Sequence, residues 1–167
     1  MTVRSGQDDR DRWTAPVFVV FGLALFGLSF ASWGVGKEGV EPSVSGLGKV
    51  SVPGASAEDV AFLQNHTGHP GLWTLILGAV IAVVGVLMWW RTEFRRGGAL
   101  IAAVAGLGAA IWTVVTISAP ERRLFDTSVN DALDAGSSVL QPGWGLLGSL
   151  AIALACVGAA VWALVRR

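Results

Sequence analysis

The stretch "LWTLILGAVIAVVGVLMWW", Leu72 to Trp90, runs for 19 residues without a charged side chain. At about 1.5 Å per helical residue it reaches about 28 Å, close to the hydrocarbon thickness of a bilayer. Three further windows are charge-free in the same way: Ala15–Trp33, Gly98–Ser118 and Trp144–Val165, of 19, 21 and 22 residues. Inside lipid no water completes the backbone hydrogen bonds, so each window is predicted to be a helix. A soluble bundle would show polar stripes at a period of about 3.6, and "VFVVFGLALFGL" or "LIAAVAGLGAAIW" shows none. The composition, 53% apolar against 14% charged, points the same way. The expected fold is an all-α membrane protein with four transmembrane helices in an up-down bundle. It forms a single domain over residues 1–167, with outer loops 34–71 and 119–143 carrying short amphipathic helices.

The first window has a second interpretation as a signal peptide, with Ser29-Phe30-Ala31 supplying small residues before a cut. The leader "MTVRSGQDDRDR" is acidic as well as basic and the apolar run is long, so an uncut anchor is expected.

Four spans place both termini on one side. With the second loop, that side carries eight basic residues: Arg4, Arg10, Arg12, Arg91, Arg95, Arg96, Arg166 and Arg167. The opposite side carries four: Lys37, Lys49, Arg122 and Arg123. Positive charge is retained on the cytoplasmic face, so both termini are expected in the cytoplasm and the protein in the plasma membrane. Acidic residues partition the other way, four inside and eight outside.

Tryptophan gives a second ruler, because indole settles between lipid and headgroups. Trp13, Trp89, Trp90 and Trp162 fall at the expected inner ends, and Trp33, Trp73 and Trp144 at the outer ends. Only Trp112 falls deeper, in the outer half of the third span. The inner loop "RTEFRRGG" is tight, which makes spans two and three an antiparallel hairpin. Its Arg91, Arg95 and Arg96 are read as contacts to anionic headgroups. So short a basic patch excludes a nucleic-acid interface.

Every Asp, Glu, Lys, Arg and His lies outside the four windows. Buried ionisable groups mark proton relays and ion paths, so their absence argues against a proton-coupled pump and against haem ligated between helices. Small residues are organised instead. Gly98, Ala102, Gly106 and Ala110 recur every fourth position in span three, Ala151, Ala155 and Ala159 in span four, and Gly78 and Ala82 in span two. Such faces let helix backbones approach closely, either within the bundle or against a partner.

In the first outer segment "SVSGLGKVSV" suggests a short hairpin around Gly46–Gly48. "SAEDVAFLQN" reads as a capped helix, with Ser56 and Asp59 at its start and Val60 and Leu63 on a face resting on the bilayer surface. The second outer segment repeats the pattern, with Ser128 and Asp131 as the cap, Val129, Ala132 and Leu133 as the apolar face and Gly136 as the stop. Asp126, Asp131 and Asp134 lack the regular spacing of a calcium loop.

The only histidines, His66 and His69 in "NHTGHPGLW", are a candidate metal or haem pair. A structural zinc site needs four ligands and a catalytic one three, while the lone Cys156 lies in span four and cannot join them. Gly68 and Pro70 also disfavour a regular helix through the pair. The competing reading is a polar turn that feeds Trp73 into the membrane. With one cysteine there is no internal disulfide. "GLGKVS" lacks the earlier glycine of a phosphate-binding loop, and no nucleophile motif or paired carboxylates appear.

The Ala/Gly/Val-rich spans, the arginines of "WWRTEFRR" and "ALVRR", and "SWG" closing span one resemble the small four-span membrane proteins of high-GC actinobacteria. The resemblance implies a plasma-membrane protein without known catalysis, and it transfers no functional residue. The residues therefore favour a non-catalytic accessory, assembly or scaffold subunit that binds a membrane-protein partner or itself, with no cofactor. Two alternatives stand beside it: an outer-surface metal, haem or lipid sensor using His66 and His69, and a small oligomeric transporter of an apolar solute.

Overall fold

The computed structural model describes residues 13–36, 42–118, 123–124 and 140–165. The described chain is mostly helical. In order it forms α1 (Thr14–Leu28), β1 (Ser32–Gly36), β2 (Ser43–Ser45), β3 (Val50–Ser51), α2 (Ala57–Asn65), α3 (Gly71–Trp90), a 3-10 turn (Thr92–Phe94), α4 (Arg95–Ser118), β4 (Leu140–Pro142) and α5 (Trp144–Val165). Three of its helices are long and apolar enough to cross a membrane: α3, the segment Thr92–Ser118, and α5. The expected second outer helix, with Ser128, Asp131 and Gly136, lies outside the described residues, as do the leader and Arg166 and Arg167.

Helix α1 is apolar but shorter than its window, ending at Leu28 after 15 residues instead of continuing to Trp33. Its last turn tightens, with the Ser29 N–H donating to both Leu25 and Phe26 oxygens. The Ser29 hydroxyl also takes the Leu25 carbonyl at 3.0 Å. Beyond it the Trp33 indole N–H donates to the Leu28 carbonyl at 3.0 Å, so a side chain occupies an acceptor that a continuing helix would have used. Hydropathy cannot register this stop, because every residue involved remains uncharged.

The four long or apolar helices pack as antiparallel neighbours around one core. The sequence pairing shows the direction. Gly78 of α3 meets Gly22 and Phe26 of α1, while Gly85 meets Val19 and Ala15. Likewise Gly98 of α4 faces Met88 and Val84, and Gly108 faces Leu77. Gly106 of α4 meets Ala153 and Cys156 of α5, and Gly148 of α5 meets Leu28 of α1. A Cβ placed on Gly78 would lie 2.8 Å from the Gly22 carbonyl and the Phe26 nitrogen. Backbone therefore rests on backbone at the α1–α3 contact, the arrangement small residues permit where hydrophobic drive between helices is absent. The core holds few large groups, chiefly Phe18, Leu25, Ile81 and Met88, set among alanines of α4 and α5.

The fold is not all-α. At the end opposite the 91–94 turn a four-stranded antiparallel sheet, ordered β3-β2-β1-β4, closes the bundle. The hairpin expected around Gly46–Gly48 is its β2–β3 pair, joined by a turn in which Gly48 has a positive φ of 79° that favours glycine. The other two strands come from the chain immediately after α1 and immediately before α5, with Gly34 opposite Pro142 and Gly36 opposite Leu140. Strands of two to five residues carry too little alternation to be read locally, and the β1–β4 pairing joins segments about a hundred residues apart.

Candidate functional site

The sheet end carries the side chains with the most chemistry. Trp33 sits at an irregularity in the β1–β2 ladder, between Ser32 and Gly34. It is fully buried against Val44, Val50, Leu124 and Leu146, with Val52, Leu63 and Ile117 packed around them. The indole is thus covered by protein instead of facing lipid, and it forms the wedge of a cap. Gly46 and Gly71 make room for it. A Cβ on Gly46 would lie 2.8 Å from the Trp33 ring, and one on Gly71 would lie 2.6 to 2.7 Å from the Gly46 backbone. The Gly71 N–H donates to the Gly46 carbonyl at 2.7 Å, tying the cap to the first turn of α3.

Helix α2 forms where it was expected, and the Val60 N–H donates to the Ser56 backbone carbonyl at 3.1 Å. Its orientation differs from the expectation. Leu63 packs against the Trp33 cluster, whereas Phe62 is exposed. Leu63 is partly buried there, so the covered part of its side chain faces the cap and not the bilayer surface.

His66 and His69 have separate surroundings. The His66 ring lies tilted against Phe62, 4.6 Å between ring centres, and its Nδ1 lies 2.9 Å from the Phe62 carbonyl, to which an N–H there donates. His69 is exposed, and its ring lies beside Gly48, 3.3 Å from where a Cβ would stand. Among the described residues no three His, Cys, Asp or Glu side chains gather as a metal site.

Between the histidines the backbone is held firmly. Thr67 is buried, and its hydroxyl takes the Leu63 carbonyl at 2.7 Å. The Gly68 N–H donates to the Leu124 carbonyl at 2.9 Å, and the Arg123 carbonyl passes 2.5 Å from where a Gly68 Cβ would stand. The Trp112 indole N–H donates to the Pro70 carbonyl at 2.8 Å. Trp73 stands 6.1 Å from Trp112, ring to ring, and the Arg123 guanidinium lies over the Trp112 ring at 5.0 Å. Sequence reasoning overlooked this arrangement of Trp112, Trp73 and Arg123. The available signal was that Trp112 alone departed from the boundary pattern; the tertiary bond to Pro70 brings it to the level where α3 starts.

The remaining candidates divide by face. Gly98, Ala102, Gly106 and Ala110 are all buried. Ala102 also accepts a long contact from the Cys156 thiol, 3.8 Å. Ala151 and Ala155 are exposed and Ala159 is partly buried. The covered face of α5 is Gly145, Leu146, Ser149, Ala153, Cys156 and Ala160. Trp13, Trp73, Trp89, Trp90, Trp144 and Trp162 are exposed. Arg91 and Arg96 are exposed and Arg95 is partly buried, all at the end opposite the cap. Buried hydroxyls bind their own helices, Thr113 to Ala109 at 2.6 Å and Ser149 to Gly145 at 2.7 Å. Ser29 and Thr74 also meet across α1 and α3 at 3.0 Å.

An apolar bundle with three helices long and apolar enough to cross a membrane fits the class of helical membrane proteins. No protein family, curated protein or solved structure matches the chain.

Proposed function

We propose that the protein is a four-span plasma-membrane protein with both termini in the cytoplasm. In this reading it serves as a non-catalytic accessory or scaffold subunit, joined to a membrane partner or a second copy through α5. Exposed aromatic residues support the four spans. Trp13 and Phe30 bracket α1, Trp73 and Trp90 bracket α3, and Trp144 and Trp162 bracket α5. These intervals of 17, 17 and 18 positions correspond to about 25 to 27 Å of helix. In this reading the common aromatic spacing assigns α1, with its following turn, the same lipid depth as the longer helices. That depth is slightly less than a typical hydrocarbon core, a mismatch that tilt or local thinning absorbs.

The observation that carries the subunit role is the uneven cover of the helices. The most apolar stretch of α5 is 22% buried, against 39% for α3 and for Thr92–Ser118. Its open side presents Ala151, Ala155 and Gly158, small residues that admit a second helix at short distance. A photo-crosslinker at Ala155, introduced in native membranes and followed by mass spectrometry, tests this. A discrete adduct at Ala155 that is missing from a probe at Val83 on α3 is expected. Equal, diffuse lipid adducts at both positions would rule out the role.

A further inference from the structure

We infer that Arg123, held over Trp112 beside Trp73, is a binding site for the phosphodiester of an outer-leaflet glycerophospholipid. The inference rests on the four-span reading, because that reading sets the depth of the site. Trp73 is one of the girdle residues, and Trp112 is drawn to the same level by its bond to the Pro70 carbonyl, one residue before α3 begins. Arg123 lies on the Trp112 ring, with its backbone set against Gly68 on the cap side. Its guanidinium stands 5.0 Å from the ring centre. The headgroup layer outside the hydrocarbon core is about 5 to 7 Å deep on each face, so a cation resting on the girdle falls at phosphate depth.

Three features make this a prepared site and not merely an exposed arginine. The backbone is fixed, because Leu124 is fully buried and its carbonyl takes the Gly68 N–H. The Trp112 ring is fixed as well, since its only N–H is committed to Pro70. Finally, stacking on an aromatic face uses the charge of a guanidinium and none of its five N–H donors. Among the described residues no acceptor takes those donors, so they can meet two oxygens of one phosphate, the bidentate geometry that arginine favours. The exposed Trp73 face lies beside the site, where the glycerol backbone and first methylenes of the same lipid would pass. An anionic headgroup is preferred, because it brings no cation of its own to compete with Arg123 for the phosphate.

The test uses the full chain in mild detergent, with dioctanoyl phosphatidylglycerol titrated in and the one-lipid adduct followed by native mass spectrometry. Arg123→Gln is expected to weaken that adduct about tenfold or more, the loss typical of a charge-assisted phosphate contact. Lys49→Gln, which removes the same charge elsewhere on the cap, is expected to leave it unchanged. Arg123→Lys should recover only part of the affinity, since it restores charge without the fork. Equal affinity in wild type and Arg123→Gln overturns the proposal. So does competition by glycerol phosphate at concentrations comparable with the lipid, which would mark a soluble-phosphate site. Flotation of the wild type with liposomes is measured separately. Failure to float removes the four-span reading itself, whereas flotation with no Arg123 effect removes only the lipid site.

Discussion

Replacing Trp33 is the sharpest test of how the cap is held. The indole is fully buried among Val44, Val50, Leu124 and Leu146, and it donates to the Leu28 carbonyl. Truncating a buried Trp to Ala costs about 3–5 kcal/mol, from lost transfer energy and the cavity left behind. At about 1.4 kcal/mol per tenfold, cap opening should rise by roughly two to three and a half powers of ten, up to the limit of the cap's own stability. Trp33→Phe retains a ring in the wedge and loses the indole donor. The Leu28 oxygen keeps the Ala31 N–H at 3.2 Å, so this variant should cost about 1 kcal/mol, or five- to tenfold in opening. The assay is hydrogen-exchange mass spectrometry in nanodiscs, reading peptides over β1–β3 and, as a control, peptides within α3 and α4. Faster exchange in the strands with unchanged helices is expected, graded Trp33→Ala above Trp33→Phe. Wild-type exchange in the strands of Trp33→Ala would refute the wedge, and equal effects of the two variants would refute the assignment of energy to ring volume.

The α1–α3 contact should tolerate nothing larger than glycine at its centre. Gly78→Leu forces a side chain into the Gly22 and Phe26 backbone, and overpacking of this kind costs about 1–3 kcal/mol or more, read as a lower thermal midpoint in detergent. Gly158→Ala, where a Cβ meets nothing within 4 Å, should leave the midpoint equal or slightly higher while weakening any α5 association. Thr74→Val removes the cross-helix contact to Ser29 and should cost about 0.6 kcal/mol, measured by the same melt. The double change His66→Ala and His69→Ala should leave the metal content of the purified protein at its wild-type value; a stoichiometric loss would reopen a ligand role. With the native Cys156 buried, single cysteines at Gln64 and Glu93 can be labelled cleanly, and only Gln64→Cys should react with an impermeant reagent on intact cells.

Much of the bundle was legible in the sequence because it follows from local properties. The charge-free windows of α3, α4 and α5 are set by composition over twenty or so consecutive residues, and the four-residue recurrence of Gly98, Ala102, Gly106 and Ala110 needs only helical geometry. The α5 stripe was less legible. Ala151 and Ala155 share the same recurrence as the α4 residues, yet Ala153, Cys156 and Ala160 are the ones covered. In so apolar a helix every face looks alike to a hydrophobic count. Which face turns inward is decided by the shape of α4 and α1, and shape is not a property of one segment.

At the cap end the division is clearer still. Sequence by itself determined that apolar rods without titratable groups would form, where the tight 91–94 turn would reverse the chain, and that a hairpin and helix α2 would follow α1. Each of these depends on neighbours a few positions away. Tertiary structure alone decided that Trp33 is a buried wedge, that Trp112 reaches Pro70 to support Arg123, and that β1 pairs with β4. Those contacts join residues far apart in the chain, and their energies come from burial and from hydrogen bonds that exist only once the helices have brought the segments together.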